Sequence, residues 1–284
     1  MRATTRLAGP LAVTQLAQFS LTLTDTVLIG RVGGDALAAV GLGSTLYIVV
    51  YLLCMGILAA VPPLAAQAYG ARNPRQMRRI VRQGLWIATL IGSLSILALW
   101  PAEQIFLLLG QTRDLAAVSQ EYVRAAVWGI IPGLCVICLR GYISVMERPG
   151  LILIVMLCGF VVNALADYAL IFGVWGFPKL EVMGVGLATA VTNLMMCAII
   201  MTIAMKAGRM RQYYVLGRLW RSDWSAFRDI FRIGIPISMM IMMEHSLFAS
   251  ATFMMGNLGT AEVAAHTIAL NLAATSFMVP LGIG

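Results

Sequence analysis

The chain has 284 residues, of which 60% are hydrophobic and only 11% charged, with a mean hydropathy of +0.88. A soluble domain carries roughly 25% charged residues, so this composition excludes a water-covered globular surface and, with it, most soluble enzymes and binding modules. A formal charge of +8 on a soluble face would suit nucleic acid, but these charges lie between apolar blocks, and no nucleic-acid partner is expected.

Eight apolar segments follow one another at about 7–30, 37–61, 80–100, 122–143, 150–175, 183–205, 233–256 and 264–284. Crossing a hydrocarbon core takes about 20 helical residues, and backbone in lipid must satisfy its own hydrogen bonds, so the segments are predicted to be helices. The first contains Asp25 and runs into G-R-V-G-G rather than a small-residue cleavage site, which argues against a removed signal peptide. Pro101 to Thr112 reads as a short interfacial stretch. With the N-terminus in the cytoplasm, sixteen of the twenty Lys and Arg residues, Arg140 and Arg148 among them, fall on the cytoplasmic side. Arg31, Arg113, Arg124 and Lys179 fall outside. That asymmetry is the positive-inside pattern. The basic stretch 206–232 is then a cytoplasmic loop beside anionic lipid.

The chain also repeats itself. At an offset of 226, Pro10 meets Pro236, Gly30 meets Gly256, Gly33 meets Gly259, and Ala38 and Ala39 meet Ala264 and Ala265. Six segments precede the second copy, so the copies insert the same way round, as parallel repeats about an axis along the membrane normal. This divides the chain into a six-helix N-lobe (1–205), the basic loop (206–232) and the first two helices of a C-lobe (233–284). The expected fold is an all-α polytopic membrane protein that stops two helices into its second half.

Three of the twelve acids lie inside apolar segments: Asp25, Asp167 and Glu244. An ionised carboxylate at the bilayer centre costs about 2.5–3.5 kcal/mol on insertion scales, so such residues are functional candidates. Thr14, Gln18, Thr22 and Asp25 recur at one-turn spacing, a polar stripe that should line a cavity or a helix interface. Asn163 precedes Asp167 by one turn, and a carboxylate beside an amide oxygen suits Na⁺ or a shared proton. Thr189, Thr192 and Asn193 offer further oxygens, although spacing alone gives Asn193 no preference. Glu244 sits at the repeat position of Gln18, and the adjacent His245 points about 100° away. The run Met239, Met240, Met242 and Met243 reads either as a soft surface for varied apolar ligands or as lipid-facing packing. Cys135 and Cys138 form C-x-x-C within an apolar run, without a second ligand pair, and read as packing residues. Metalloprotease, hydrolase, Walker and dinucleotide signatures are missing from the sequence, so no enzyme is expected.

The stretches TDTVLIGRVGGDALAAVGLG, PPLAAQAYGARN, NALADYALIFGVWG, GVGLATA and GIPISMMIMMEHSLFASATFMMGNLG resemble, in order, the signatures of the MATE (multidrug and toxic compound extrusion) transporters, NorM-like branch. The resemblance implies a multi-pass antiporter of a bacterial-type plasma (inner) membrane, a monomer in the lipid bilayer that uses no cofactor. It would export small cationic amphiphilic drugs in exchange for Na⁺ or H⁺ by rocking between outward-open and inward-open shapes. It also implies that Asp25, Asn163, Asp167 and Thr189 form the N-lobe cation site, with Na⁺ held at Asp25, Asn163 and Asp167, and that Glu244 belongs to a C-lobe site. The competing expectations are a lipid-linked sugar flippase of the same superfamily, which an Arg- and Lys-lined cavity would favour, and a membrane fragment that does not transport.

Overall fold

The computed structural model describes residues 24–174, 176–206, 223–256 and Ala273; every regular element among them is helical. The end of the first segment (24–30, α1) turns at Arg31 and Val32. There follow α2 (Gly34–Leu58), α3 (Val61–Gly70), α4 (Pro74–Leu99), α5 (Ala102–Leu108) and α6 (Arg113–Ala126). A 3₁₀ turn at Val127–Gly129 leads into α7 (Ile130–Val145), and α8 (Pro149–Phe172), α9 (Glu181–Lys206) and α10 (Trp224–Gly256) complete the described chain. Among the described residues, five helical runs are long and apolar enough to cross a membrane: Gly34–Gly70, Pro74–Leu99, Arg113–Val145, Gly150–Phe172 and Glu181–Lys206. The protein is an all-α, multi-pass membrane protein. Residues 1–23, with Thr14, Gln18 and Thr22, lie outside the described residues, as does nearly all of the eighth segment.

Local sequence sets several boundaries. Asn73 caps α4, its Oδ1 accepting a hydrogen bond from the Gln76 backbone N–H at 3.1 Å, and Pro74 follows at the first helical position. Gly173 ends α8 in the left-handed region at φ 68°, which glycine adopts without a Cβ penalty.

Two spans begin earlier than hydropathy places them. The fourth starts at Arg113, not near 122, because α6 opens amphipathically. Asp114, Glu121 and Arg124 are exposed, while Ala116, Ser119, Tyr122 and Val123 are buried. The expected loop 206–232 likewise ends at Asp223. From Trp224 onward Ile230 turns inward and the Phe227 ring meets that of Phe231 at a tilt, centroids 4.9 Å apart, with Arg228 and Asp229 outward.

The helices pack as one body, α9 against α6, α7 and α8, and α4 against α7. With lipid on the outside there is little hydrophobic drive between helices, so close approach of small residues does the work. The clearest case joins α10 to α2. A Cβ at Gly234 would overlap the Ile57 backbone, and one at Gly56 would overlap Ser238. The Ser238 hydroxyl donates to the Leu53 carbonyl at 2.8 Å across the same crossing. Large apolar side chains such as Leu94, Leu97, Trp128 and Leu194 remain exposed, as lipid-facing positions require. Cys135 and Cys138 are buried in α7 as free thiols.

Candidate functional site

Three predicted residues come together. Asp25 reaches inward from the end of α1, and α8 presents Asn163 and Asp167 one turn apart on its buried side. Asp167 is 0% exposed and Asn163 2%. The Asp25 carboxyl lies within hydrogen-bonding reach of both Asp167 and Asn163. Yet Oδ1 of Asp25, both carboxyl oxygens of Asp167 and Oδ1 of Asn163 are buried without a donor from the protein. Two carboxylates are both acceptors, so they can bond to each other only across a shared proton or a cation. Leaving both ionised and unpaired would cost several kcal/mol per charge. A shared proton or cation would offset that cost, and hard oxygen donors of this kind suit an alkali cation or H⁺.

A fourth member, Tyr122 of α6, escaped sequence reasoning. It is buried and close enough to interact electrostatically with both Asp25 and Asp167. Two glycines seat it: a Cβ at Gly43 would come within 2.7 Å of its ring, and one at Gly186 would press on its carbonyl. The signal in the sequence was faint, a tyrosine at the head of an apolar segment.

Asp25 and Asn163 also border a partly open cavity of about 290 Å³ lined by α1, α2, α7, α8 and α9. Tyr47, Tyr51 and Met55 line it from α2, the two rings stacked 5.8 Å apart, and Met156 and Met196 line it from α8 and α9. Thr189, Thr192 and Asn193 form the α9 wall. The Thr189 hydroxyl donates to the Val185 carbonyl at 3.0 Å, whereas the Thr192 hydroxyl is buried without a partner. Asn193, for which spacing gave no support, is a wall residue. So is Arg140, which charge counting places on the cytoplasmic side: it stands on α7, two turns after Gly133, in the cavity lining. The wall combines acid, hydroxyl, aromatic, thioether and guanidinium groups, as a pocket for amphiphilic organic ligands requires.

Glu244 is not brought to this cluster. It is exposed on α10, as are His245 and the methionines Met239, Met240 and Met243.

A family model described as MatE matches residues 10–169. A probable multidrug resistance protein NorM of Bradyrhizobium diazoefficiens is 43% identical over 99% of this chain and 60% of its own length. Proteins of the same description from Brucella suis and Pseudomonas putida are 40% and 38% identical over 98% and 100% of the chain. The chain thus spans about 60% of the length of the curated relatives it matches. Among solved structures, a eukaryotic MATE transporter superposes with a TM-score of 0.84 at 15% identity, covering 99% of this chain and 62% of that one. An outward-facing multidrug resistance MATE transporter of the MOP superfamily gives 0.82 at 22% identity with the same coverage. At such identities these two structures establish likeness of fold.

Proposed function

Because this chain belongs to the MatE family, we propose that it forms the cation-binding lobe of an efflux antiporter, exporting cationic amphiphilic compounds in exchange for Na⁺ or H⁺. One observation carries the reading: Asp25, Asn163 and Asp167 gather four buried oxygens that have no donor, at the edge of a cavity large enough for part of an organic ligand. Asp25 and Asp167 hold the coupling cation between them. Asn163 contributes its amide oxygen, Tyr122 steadies the pair, and Thr189 offers a further oxygen from α9. Because Asp25 and Asn163 border both the cluster and the cavity, an ion at the cluster and a cationic ligand in the cavity compete for the same negative charge. Binding of either then disfavours the other, the reciprocal coupling that exchange needs. The Glu244 carboxyl belongs to a separate cation site of the second lobe. The protein sits in a bacterial inner membrane with its N-terminus in the cytoplasm, the orientation that the Lys and Arg distribution supports.

Arg140 is the one observation that leans toward a lipid-linked sugar flippase. A pyrophosphate headgroup carries several negative charges, and among the described lining residues Arg140 is the only basic one, so the antiporter reading is the stronger. The test is dye efflux from vesicles containing the protein under an imposed Na⁺ gradient and, separately, a pH gradient. One of the two should accelerate efflux at least several-fold; dye movement indifferent to both would refute the antiporter.

A further inference from the structure

Away from the cavity, α4 and the start of α10 flank two adjoining, partly open hollows of opposite character. Beside the first two turns of α4 lies a polar pocket of about 320 Å³, lined by Arg75 and Arg79 and by Asp223 and Asp229. Further along α4 lies a groove of about 280 Å³ walled by Trp86, Leu90, Trp224 and Phe227. Asp223 borders both hollows. Thr89 and Ser93 also line the groove, but their hydroxyls donate back to the Leu85 and Thr89 carbonyls at 3.0 and 2.8 Å, so the wall stays apolar. Trp86 and Trp224 are 47% and 77% exposed, as amphipathic rings are at a membrane surface. Arg79 precedes Trp86 by seven residues, about 10 Å along the helix axis. The chain crosses a membrane, so lipid borders its exposed surface, and the order along α4, charged pocket and then apolar groove, is that of a phospholipid headgroup and its acyl chain.

We propose that the two hollows form one binding site for an aminophospholipid, phosphatidylethanolamine. An acyl chain lies in the groove between Trp86 and Trp224, the phosphate rests on Arg75 and Arg79, and the ammonium on Asp229. The charges select this occupant. Two arginines and two aspartates line the polar pocket, so a headgroup that carries both signs matches it, whereas a purely anionic one brings its charge against the aspartates. Arg79 pairs with Asp223 through Nη1 at 3.3 Å, and its side chain is 61% exposed. A guanidinium has five donors, so a phosphate joins that pair without breaking it. Arg75 and Asp229 are both exposed. The primary ammonium donates charge-assisted hydrogen bonds to a carboxylate; the trimethylammonium of phosphatidylcholine has no N–H to donate. The site is separate from the acid pair and its cavity, and it stands whether or not the protein is an antiporter.

Brominated lipids test the site, because bromine on an acyl chain quenches a tryptophan that it touches. The purified full chain is reconstituted in phosphatidylcholine bilayers containing rising fractions of dibrominated phosphatidylethanolamine, phosphatidylglycerol or phosphatidylcholine, and quenching gives the binding of each lipid relative to phosphatidylcholine. Phosphatidylethanolamine should bind about fivefold more tightly than phosphatidylcholine, the scale of one net hydrogen bond, and more tightly than phosphatidylglycerol. Asp229→Asn should bring the ratio of phosphatidylethanolamine to phosphatidylcholine close to one. Trp86→Phe/Trp224→Phe should abolish the excess quenching by phosphatidylethanolamine, while quenching of the remaining tryptophans by phosphatidylcholine persists and reports an intact fold. Equal binding of phosphatidylethanolamine and phosphatidylcholine by the parent, a preference unchanged in Asp229→Asn, excess quenching that survives loss of both tryptophans, or tighter binding of phosphatidylglycerol than of phosphatidylethanolamine would each overturn the proposal.

Discussion

Asp167 in α8 and Glu244 in α10 each stand in a long apolar helix, one fully buried and the other exposed. To Asp167 α1 brings a second acid and α6 a phenol, and the amide of Asn163 stands one turn away on α8 itself. Glu244 shares its part of α10 with exposed methionines. An acid inside an apolar segment therefore marks a cost, and the packing around it decides what that cost serves. Two acids enclosed together carry a cost that a shared positive charge would offset; an exposed acid carries no such cost among the described residues.

The substitution that should separate these two regions most is Asp167→Asn. Removing one carboxylate from the pair should reduce ion-driven efflux about a hundredfold, the equivalent of about 2.7 kcal/mol, while thermal stability stays level or rises because a buried charge is gone. Glu244→Gln should leave ion binding at Asp25 and Asp167 within about twofold, well under the roughly 1.4 kcal/mol of a tenfold change. Equal damage from both would break the comparison. Next in size is Gly186→Ala, which presses a methyl group on the Tyr122 backbone. Overpacking of this kind costs about 1–3 kcal/mol, to be seen as a lower melting temperature together with weaker ion dependence of efflux. Tyr122→Phe removes one hydroxyl beside the pair. Its contribution of about 1 kcal/mol should raise the ion concentration for half-maximal efflux by about fivefold, with stability little changed. The smallest effect belongs to Arg79→Ala, which breaks the 3.3 Å ion pair with Asp223 at the start of α10. Its Arg79 side chain is 61% exposed, and an exposed pair is worth less than about 1 kcal/mol, so melting should shift by only a degree or two.

Asp25, Asn163 and Asp167 were legible in the sequence because a carboxylate in a membrane segment is expensive, and because one-turn spacing places Asn163 and Asp167 on the same side. Tyr122 was not, since a tyrosine near the end of an apolar run is equally at home at the bilayer interface. Its role depends on Gly43 and Gly186, which lie far from it in sequence. The place of Arg140 in the cavity lining was hidden for a different reason. Counting charges assigns a residue to one side of the membrane, but whether its side chain faces water, lipid or a cavity depends on the rotation of α7. The early starts of α6 and α10 were hidden because their first turns are amphipathic and too polar for a hydropathy window. The membrane fold itself was readable from composition and segment length.

The central claim is that Asp25 and Asp167 hold a single coupling cation between them. Equilibrium binding to the purified protein tests it most directly, with radioactive Na⁺ and, in parallel, proton release or uptake in weakly buffered solution, comparing the parent with Asp25→Asn. The account predicts that the parent takes up one ion at this pair and that the variant loses that ion. Equal uptake by the variant and the parent, for both ions, would contradict it.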